Sequence, residues 1–326
     1  MQYRHLGRSG LLLSALSFGT WTTFGKTVKR SLARDMIALA YDHGVNFFDN
    51  AEVYAHGEAE SLMGDVLADL RFPRDSWCVS SKAYFGRCKN PKPTQHGLSR
   101  KHLVEACHQA LKRLRVDYLD LYFCHRPDTD TPIEETVAAM DMLVRQGKVL
   151  YWGTSEWPAE LIHEAHRVAQ ENSLTAPVME QPQYNLLHRE RVEKEYAPLY
   201  QAYGMGTTIW SPLLSGLLSG KYDAGIPDDS RLYHSELTWL RENVLGEHGQ
   251  NVVKARALRP IADELGLSSA QLAIAWCLRN PHVSTVILGA SQRKQLEHNL
   301  KSIDWLTTLS ESAVAKRIDT ALDCEE

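Results

Sequence analysis

Eight short apolar segments, each followed by a stretch with helical spacing, predict an α/β chain closed into a (β/α)8 TIM barrel, with an N-terminal β-hairpin cap. Three observations carry that expectation. The strand–helix alternation runs through the chain without a linker, so one domain over residues 1–326 is expected. No G-x-G-x-x-G follows an early strand, which removes the dinucleotide-binding doubly wound sheet. Several strands close on polar residues, and a barrel gathers such residues at the C-terminal face, where its active site lies.

The elements follow in order. Residues 1–16 hold two apolar runs about the turn signal Gly7-Arg8-Ser9-Gly10, which reads as the hairpin. Strands are expected at 16–19, 45–48, 77–81, 118–123, 149–154, 178–181, 206–210 and 285–288. The helices between them are expected at 31–43, 59–70, 101–114 behind the cap Ser99, 132–146, 158–172 and 192–203. The fourth has Thr131 as its expected N-cap, Pro132 at its first position and Glu134 and Glu135 in its first turn. Residues 211–249 break the rhythm, which resumes with helices at 270–279 and 292–301 and a last one from Ser310. The run GLLSGKY at 216–222 lacks both the Walker spacing and the hydroxyl residue after Lys, so it is no phosphate loop of that class.

Composition excludes several function classes. With 326 residues, 44% hydrophobic and 23% charged, the chain can bury a large core and is not disordered. A net charge of -4 and a pI near 6.4 argue against nucleic-acid and anionic-membrane partners. No signal peptide or membrane-length apolar run is evident, and six scattered cysteines without a C-x-x-C pair suit free thiols; a cytoplasmic protein is expected.

The stretch FFDNAEVY at 47–54 draws the chemistry together. A buried strand ending on Asp49 is costly unless something pairs with the charge. Two later strands end at Lys82 and His125, and in a parallel sheet all three emerge at one edge, with Tyr54 on the loop above. A nearby ammonium favours a phenolate and is expected to lower the tyrosine pKa, while a carboxylate behind the ammonium keeps it charged. His125 is placed to hydrogen-bond a substrate oxygen. Each residue alone has a plainer reading, as a turn cap, a solvated lysine or a histidine serving a loop carbonyl. The joint placement at successive strand ends favours a proton-transfer site. His163 and His166 share a helix face but lack a third ligand in view, and Cys124 is expected to pack at its strand end.

The runs FDNAEVY at 48–54 and GTSEW at 153–157, together with Lys82, resemble the aldo-keto reductase superfamily. TWTTFG at 20–25, GLSRKH at 97–102, HRPD at 125–128, WSPLLSGLLSGKY at 210–222 and QLAIAWCLRN at 271–280 are most similar to its voltage-gated potassium channel β-subunit branch and bacterial relatives. The resemblance spans essentially the whole chain. It implies a barrel that uses NADPH without a Rossmann motif, with Asp49, Tyr54, Lys82 and His125 as catalytic tetrad. Animal channel β-subunits carry Asn at the position of His125, so the histidine shifts the expectation towards a working enzyme.

The same resemblance implies a cofactor groove. The nicotinamide would stack on Trp210, with its carboxamide on Ser155 and Gln181 and with Thr20 and Trp21 along the opposite wall; Asp49 is also expected to contact the cofactor. The segment 211–216, which holds Ser211, Pro212, Leu213, Ser215 and Gly216, would present successive backbone N–H groups, Pro212 having none, to the pyrophosphate, with Lys221 nearby. Gly289 begins a cofactor-binding stretch that opens a helix, where Ser291, Gln295 and Arg293 would hold the 2'-phosphate, with Asn299 near the adenine and Arg231 on a loop over the cofactor. Glu156 replaces an arginine of the channel branch, and a carboxylate cannot pair with phosphate, so it is left outside the expected site.

Two functions are therefore expected to compete. One is an NADPH-dependent reductase of aldehydes or reactive ketones, with Tyr54 as general acid. The other is a nicotinamide-binding regulatory subunit docked on a potassium channel; the chain starts almost at the hairpin and offers no N-terminal extension to act on a pore. A metal-dependent barrel hydrolase lacks a ligand cluster. The resemblance also implies a homo-oligomer, a tetramer or larger.

Overall fold

A computed structural model describes residues 1–21, 23–25, 28–228, 230–233 and 238–322. The N-terminal hairpin pairs β1 (Tyr3–His5) with β2 (Leu12–Ser14) antiparallel. The barrel strands follow: β3 (Leu16–Gly19), β4 (Phe47–Asp49), β5 (Cys78–Ala83), β6 (Leu119–Cys124), β7 (Val149–Thr154), β8 (Met179–Glu180), β9 (Gly206–Ile209) and β10 (Val283–Leu288). Each pairs parallel with the next, and β10 closes the ring onto β3.

Helices wrap the outside because their apolar residues recur on one face. In α1 (Arg30–Asp42) these are Ala33, Met36, Ile37 and Ala40, all fully buried. The wrap continues with α2 (Glu58–Leu70), α3 (Arg100–Leu114), α4 (Ile133–Arg145) and α5 (Ala159–Glu171). The Ser99 hydroxyl caps α3 by accepting from His102 N. At α4 the expected cap is displaced. Pro132 occupies the N-cap without a side-chain bond, and the Thr131 hydroxyl instead donates to Asp128 Oδ2 at 2.7 Å.

The single helix expected over 192–203 is broken. A π-helical turn, Arg191–Glu195, leads into α6 (Ala197–Tyr203), and Tyr196 N donates back five residues to Arg191 O. The irregular stretch after β9 is more helical than its sequence pattern, with α7 (Thr238–Leu245), α8 (Gln250–Ala257) and α9 (Arg259–Glu264) ahead of α10 (Ser269–Leu278). A reciprocal Ser268/Gln271 capping box starts α10. The chain then runs through α11 (Arg293–Leu300), α12 (Leu306–Ser310) and α13 (Ser312–Leu322).

Two apolar layers result. The larger lies between the sheet and the helices; the smaller fills the barrel axis with Phe47, Leu121, Phe123, Met179 and Ile287. Leu6 and Leu13 join that inner layer, so the hairpin plugs the N-terminal end. Gly7 makes the plug possible: its φ is +56°, and an added Cβ would lie 2.3 Å from Gly204 O. The site is left at the opposite, C-terminal mouth.

Candidate active site

Strand register sets which residues meet at the mouth. Phe47 and Phe48 pair with Cys78 and Val79, so continuing the ladder puts Asp49 level with Ser80. Lys82 lies two residues further along β5 and shares its inward face with Ser80. Lys82 in turn pairs with Phe123 of β6, and His125 follows two residues on. Parity thus aims Asp49, Ser80, Lys82 and His125 into one space. Tyr54 reaches it from a tight turn, Tyr54–Gly57, in which Ala55 and His56 take positive φ.

Lys82 is fully buried, and its Nζ lies 2.8 and 2.6 Å from the two Asp49 oxygens. It also donates to Asn50 O at 2.8 Å and lies 3.3 Å from Tyr54 Oη. Ser80 Oγ donates to Asp49 Oδ1 at 2.7 Å. The Tyr54 and His125 rings meet edge to face at 5.9 Å. His125 is buried, and its Nδ1 has no hydrogen-bond partner among the described residues.

The electrostatics correct one expectation. Burial, reinforced by the Asp49 charge, raises the Tyr54 pKa well above that of a free phenol, against the expected lowering. The reason is burial first, which penalises the charged phenolate, with the nearby Asp49 carboxylate adding to it. Lys82 is itself lowered, first by burial, although Asp49 opposes the shift. Burial and then the Lys82 charge push His125 well below its usual value, so the imidazole is neutral at pH 7. The chamber therefore holds a protonated phenol, a neutral histidine and a chelated ammonium.

The residues expected to bind a cofactor lie along the neighbouring rim. Buried Thr20 donates to Asp49 O through its hydroxyl, and Trp21 meets Trp210 edge to face at 5.9 Å. Ser155 Oγ donates to Gln181 O at 2.9 Å, while Gln181 Nε2 donates to Asp49 Oδ1 at 3.1 Å and Thr208 Oγ1 at 3.2 Å. Gln181 so links this rim to the tetrad. In the loop after β9, Ser211, Leu214, Ser215 and Gly216 have positive φ. Here the amides turn inward: Leu214 N donates to Ser211 O, Ser215 N to Ser211 Oγ and Gly216 N to Leu213 O. Pro212 is buried in the same loop, and the Lys221 stem passes beside Gly216.

Farther round, Gly289, Ser291, Arg293 and Gln295 are exposed at the start of α11, and Ser291 N donates to Gln295 Oε1. The N-cap Gln292 makes no side-chain cap bond, so the first-turn amides have no side chain from that residue over them. Asn299 is buried one turn beyond Gln295. The Arg231 side chain lies outside the described residues. This donor set fits a dinucleotide phosphate: a half-buried indole, a ring of polar groups, an exposed Lys and Arg, and a helix start without a side-chain cap.

Sequence reasoning missed four residues. Ser80 and Thr208 orient Asp49 and Gln181, and a period of two along β5 would have exposed Ser80. Asn50 contributes only its carbonyl, which no side-chain pattern reports. Glu156 was left outside the site, yet its Oε1 accepts from Trp210 Nε1 at 2.9 Å and from Gln183 N at 2.6 Å. Arg191 pairs with the other oxygen at 2.7 Å. The carboxylate therefore grips the indole instead of meeting phosphate.

Cys124 is fully buried and burial drives its thiol far above the usual value, which suits packing. His166 stacks on Tyr203 at 3.7 Å, and among the described residues no three His, Cys, Asp or Glu side chains gather as a metal site.

Known proteins share this arrangement of sequence. Two relatives, each described as "Probable voltage-gated potassium channel subunit beta", are 49% identical to this chain. The one from Arabidopsis thaliana aligns over 311 residues, 95% of this chain and 93% of its own length. The one from Oryza sativa subsp. japonica aligns over 317 residues, 97% and 95% respectively. The Aldo/keto reductase family model matches residues 15–322, which contain every strand of the barrel whose mouth holds Asp49, Tyr54, Lys82 and His125, and the chain belongs to that family.

Proposed function

We propose that this chain is an NADPH-dependent reductase of aldehydes or reactive ketones, acting in the cytoplasm as a single domain over residues 1–326 and as a homo-oligomer of four or more copies. One observation carries the reading: Lys82, chelated by Asp49, lies 3.3 Å from the hydroxyl of a protonated Tyr54, whose ring meets that of neutral His125 edge to face. When bound, NADPH supplies the hydride that goes to the carbonyl carbon.

Every other part of the step falls to the chain. Trp210, gripped by Glu156, gives the nicotinamide a fixed face, and Ser155 and Gln181 exchange their present partners for its carboxamide. His125 donates its N–H to the substrate oxygen and polarises the carbonyl. Tyr54 gives its proton to that oxygen as negative charge develops there, and solvent later returns the proton to Tyr54. The high pKa of Tyr54 keeps the proton available at neutral pH, and Lys82 stabilises the phenolate left behind.

The test is aldehyde-dependent NADPH oxidation by Tyr54→Phe. A fall of ~10²- to 10⁴-fold in kcat, with an unchanged melting temperature, is expected for loss of a general acid. Wild-type turnover in that variant would overturn the mechanism.

A second reading rests on the names of the two relatives: a nicotinamide-binding regulatory subunit of a potassium channel with slow or vestigial reductase activity. Among the described residues no helix is long and apolar enough to cross a membrane, so such a role would require docking on another chain. Oxidation of bound NADPH in one slow turnover, without repeated turnover on any aldehyde, would favour it.

A further inference from the structure

An aromatic and basic lip stands beside the tetrad and has no part in the mechanism above. Tyr84 and Phe85 follow β5 directly, and Arg126 follows His125. A buried carboxylate fixes the backbone here: Glu52 Oε1 accepts from Tyr84 N and Gly86 N, both at 3.0 Å, and lies 3.0 Å from His102 Nε2. On this support the Phe85 ring meets the His125 ring edge to face at 5.2 Å, yet remains 39% exposed. A large apolar ring left open beside a reacting centre is a platform for another planar group.

Arg126 completes the lip. Its guanidinium lies 5.5 Å from the Phe85 ring centre and donates through Nη1 to the His125 carbonyl, which anchors one edge of the fork. It forms no ion pair among the described residues. Asp128, the nearer of the two acids of its own loop in sequence, is already engaged by Leu98 N, the Thr131 hydroxyl and Asp130 N. Among the described residues Lys82 is matched by Asp49, whereas Arg126 has no such carboxylate partner. After burial and nearer charges, Arg126 also acts on the ionisation of Tyr54, Lys82 and His125, so it stands within electrostatic reach of the chemistry.

We propose that Phe85 and Arg126 form a substrate subsite for aromatic carbonyl compounds carrying a carboxylate: the ring lies along Phe85 and the carboxylate takes the free edge of the Arg126 guanidinium while the aldehyde oxygen sits at Tyr54 and His125. This rests on the reductase reading of the same site. The fork geometry of Arg suits a carboxylate bidentately, which Lys cannot reproduce. The carboxylate is unchanged by the reaction and serves only to place the aldehyde.

The test compares kcat/KM for para-carboxybenzaldehyde with that for its neutral methyl ester, methyl para-formylbenzoate, using NADPH. Wild type should favour the acid, and the preference should weaken as salt is added. The acid-to-ester ratio should fall about 10- to 100-fold in Arg126→Met, as loss of a charged hydrogen bond implies, with partial recovery in Arg126→Lys. A wild-type ratio of one or less, or a ratio that survives Arg126→Met, overturns the subsite. If wild type reduces neither aldehyde, the reductase reading falls separately. Calorimetric titration with para-(hydroxymethyl)benzoate then decides the subsite alone: affinity weakened by Arg126→Met upholds it, and equal affinity overturns it.

Discussion

Asp49 at the end of β4 and Glu180 at the end of β8 are both buried acids, four strands apart in one ring, and their surroundings are opposite. Asp49 faces the axis and is chelated to an ammonium, with Ser80 and Gln181 as further donors. Glu180 pairs with no cation among the described residues. The Thr154 hydroxyl and Trp157 N approach it, and burial pushes its pKa up to about 8, so it carries its proton at neutral pH. Its neighbours Met179 and Gln181 face the axis, whereas Glu180 takes the alternate, outward side of β8. One residue of parity therefore separates a charged group paired with Lys82 beside the proposed catalytic tyrosine from a neutral group embedded in packing.

The contrast can be broken most strongly at Lys82. Lys82→Met leaves Asp49 buried without its cation and should destabilise by ~3–5 kcal/mol, the cost of orphaning one partner of a buried pair. Adding Asp49→Asn should restore most of that loss in urea unfolding. An unchanged midpoint in Lys82→Met would show that Asp49 does not depend on the pair.

Glu180 should show the reverse, a penalty that grows with pH. The folded state holds the proton to about pH 8, whereas an unfolded glutamate, with its model value of 4.5, releases it earlier. The folded state thus binds more protons between these values, and stability must fall as pH rises through that window. The difference between wild type and Glu180→Gln should widen by on the order of 3–5 kcal/mol from pH 4.5 to 8. His125 and His166 are both pushed down, so they act with the opposite sign below pH 6.5. Taking the difference between the two proteins removes them. A constant difference across this range would mean that Glu180 is charged in the folded state.

Smaller effects belong to the cofactor rim. Glu156→Leu removes the acceptor for the Trp210 indole N–H and should weaken NADPH binding about tenfold, roughly the worth of one hydrogen bond to a charged group. Glu156→Gln should retain most of the affinity, because it still offers an oxygen; quenching of tryptophan fluorescence reads both. Arg293→Ala should narrow the affinity ratio of NADPH to NADH by about tenfold or less, as expected for one exposed charge contact. An unaltered ratio would move recognition of the 2'-phosphate elsewhere.

The strands were legible because each is a short apolar run, and the hairpin because its turn chemistry is local. Asp49, Lys82 and His125 were legible for a related reason: parallel strands share an end, so polar residues after successive apolar runs gather without knowledge of the loops. The limits lay where partners come from distant segments. The helix expected over 192–203 becomes a π turn followed by α6, a choice that one-face periodicity cannot make. Thr131 reads as a cap, yet its hydroxyl goes to Asp128. Glu156 reads as hostile to phosphate, but its partner is an indole 54 positions away.

By itself the sequence determined the barrel, its plug and the edge at which Asp49, Lys82 and His125 gather, because hydrophobic period and strand polarity are properties of neighbouring residues. Tertiary structure decided the ionisation of those groups: that Tyr54 keeps its proton, that His125 is neutral and that Glu180 is an acid without a cation. Those states depend on burial and on charges brought close from other strands, and burial exists only once the ring has closed.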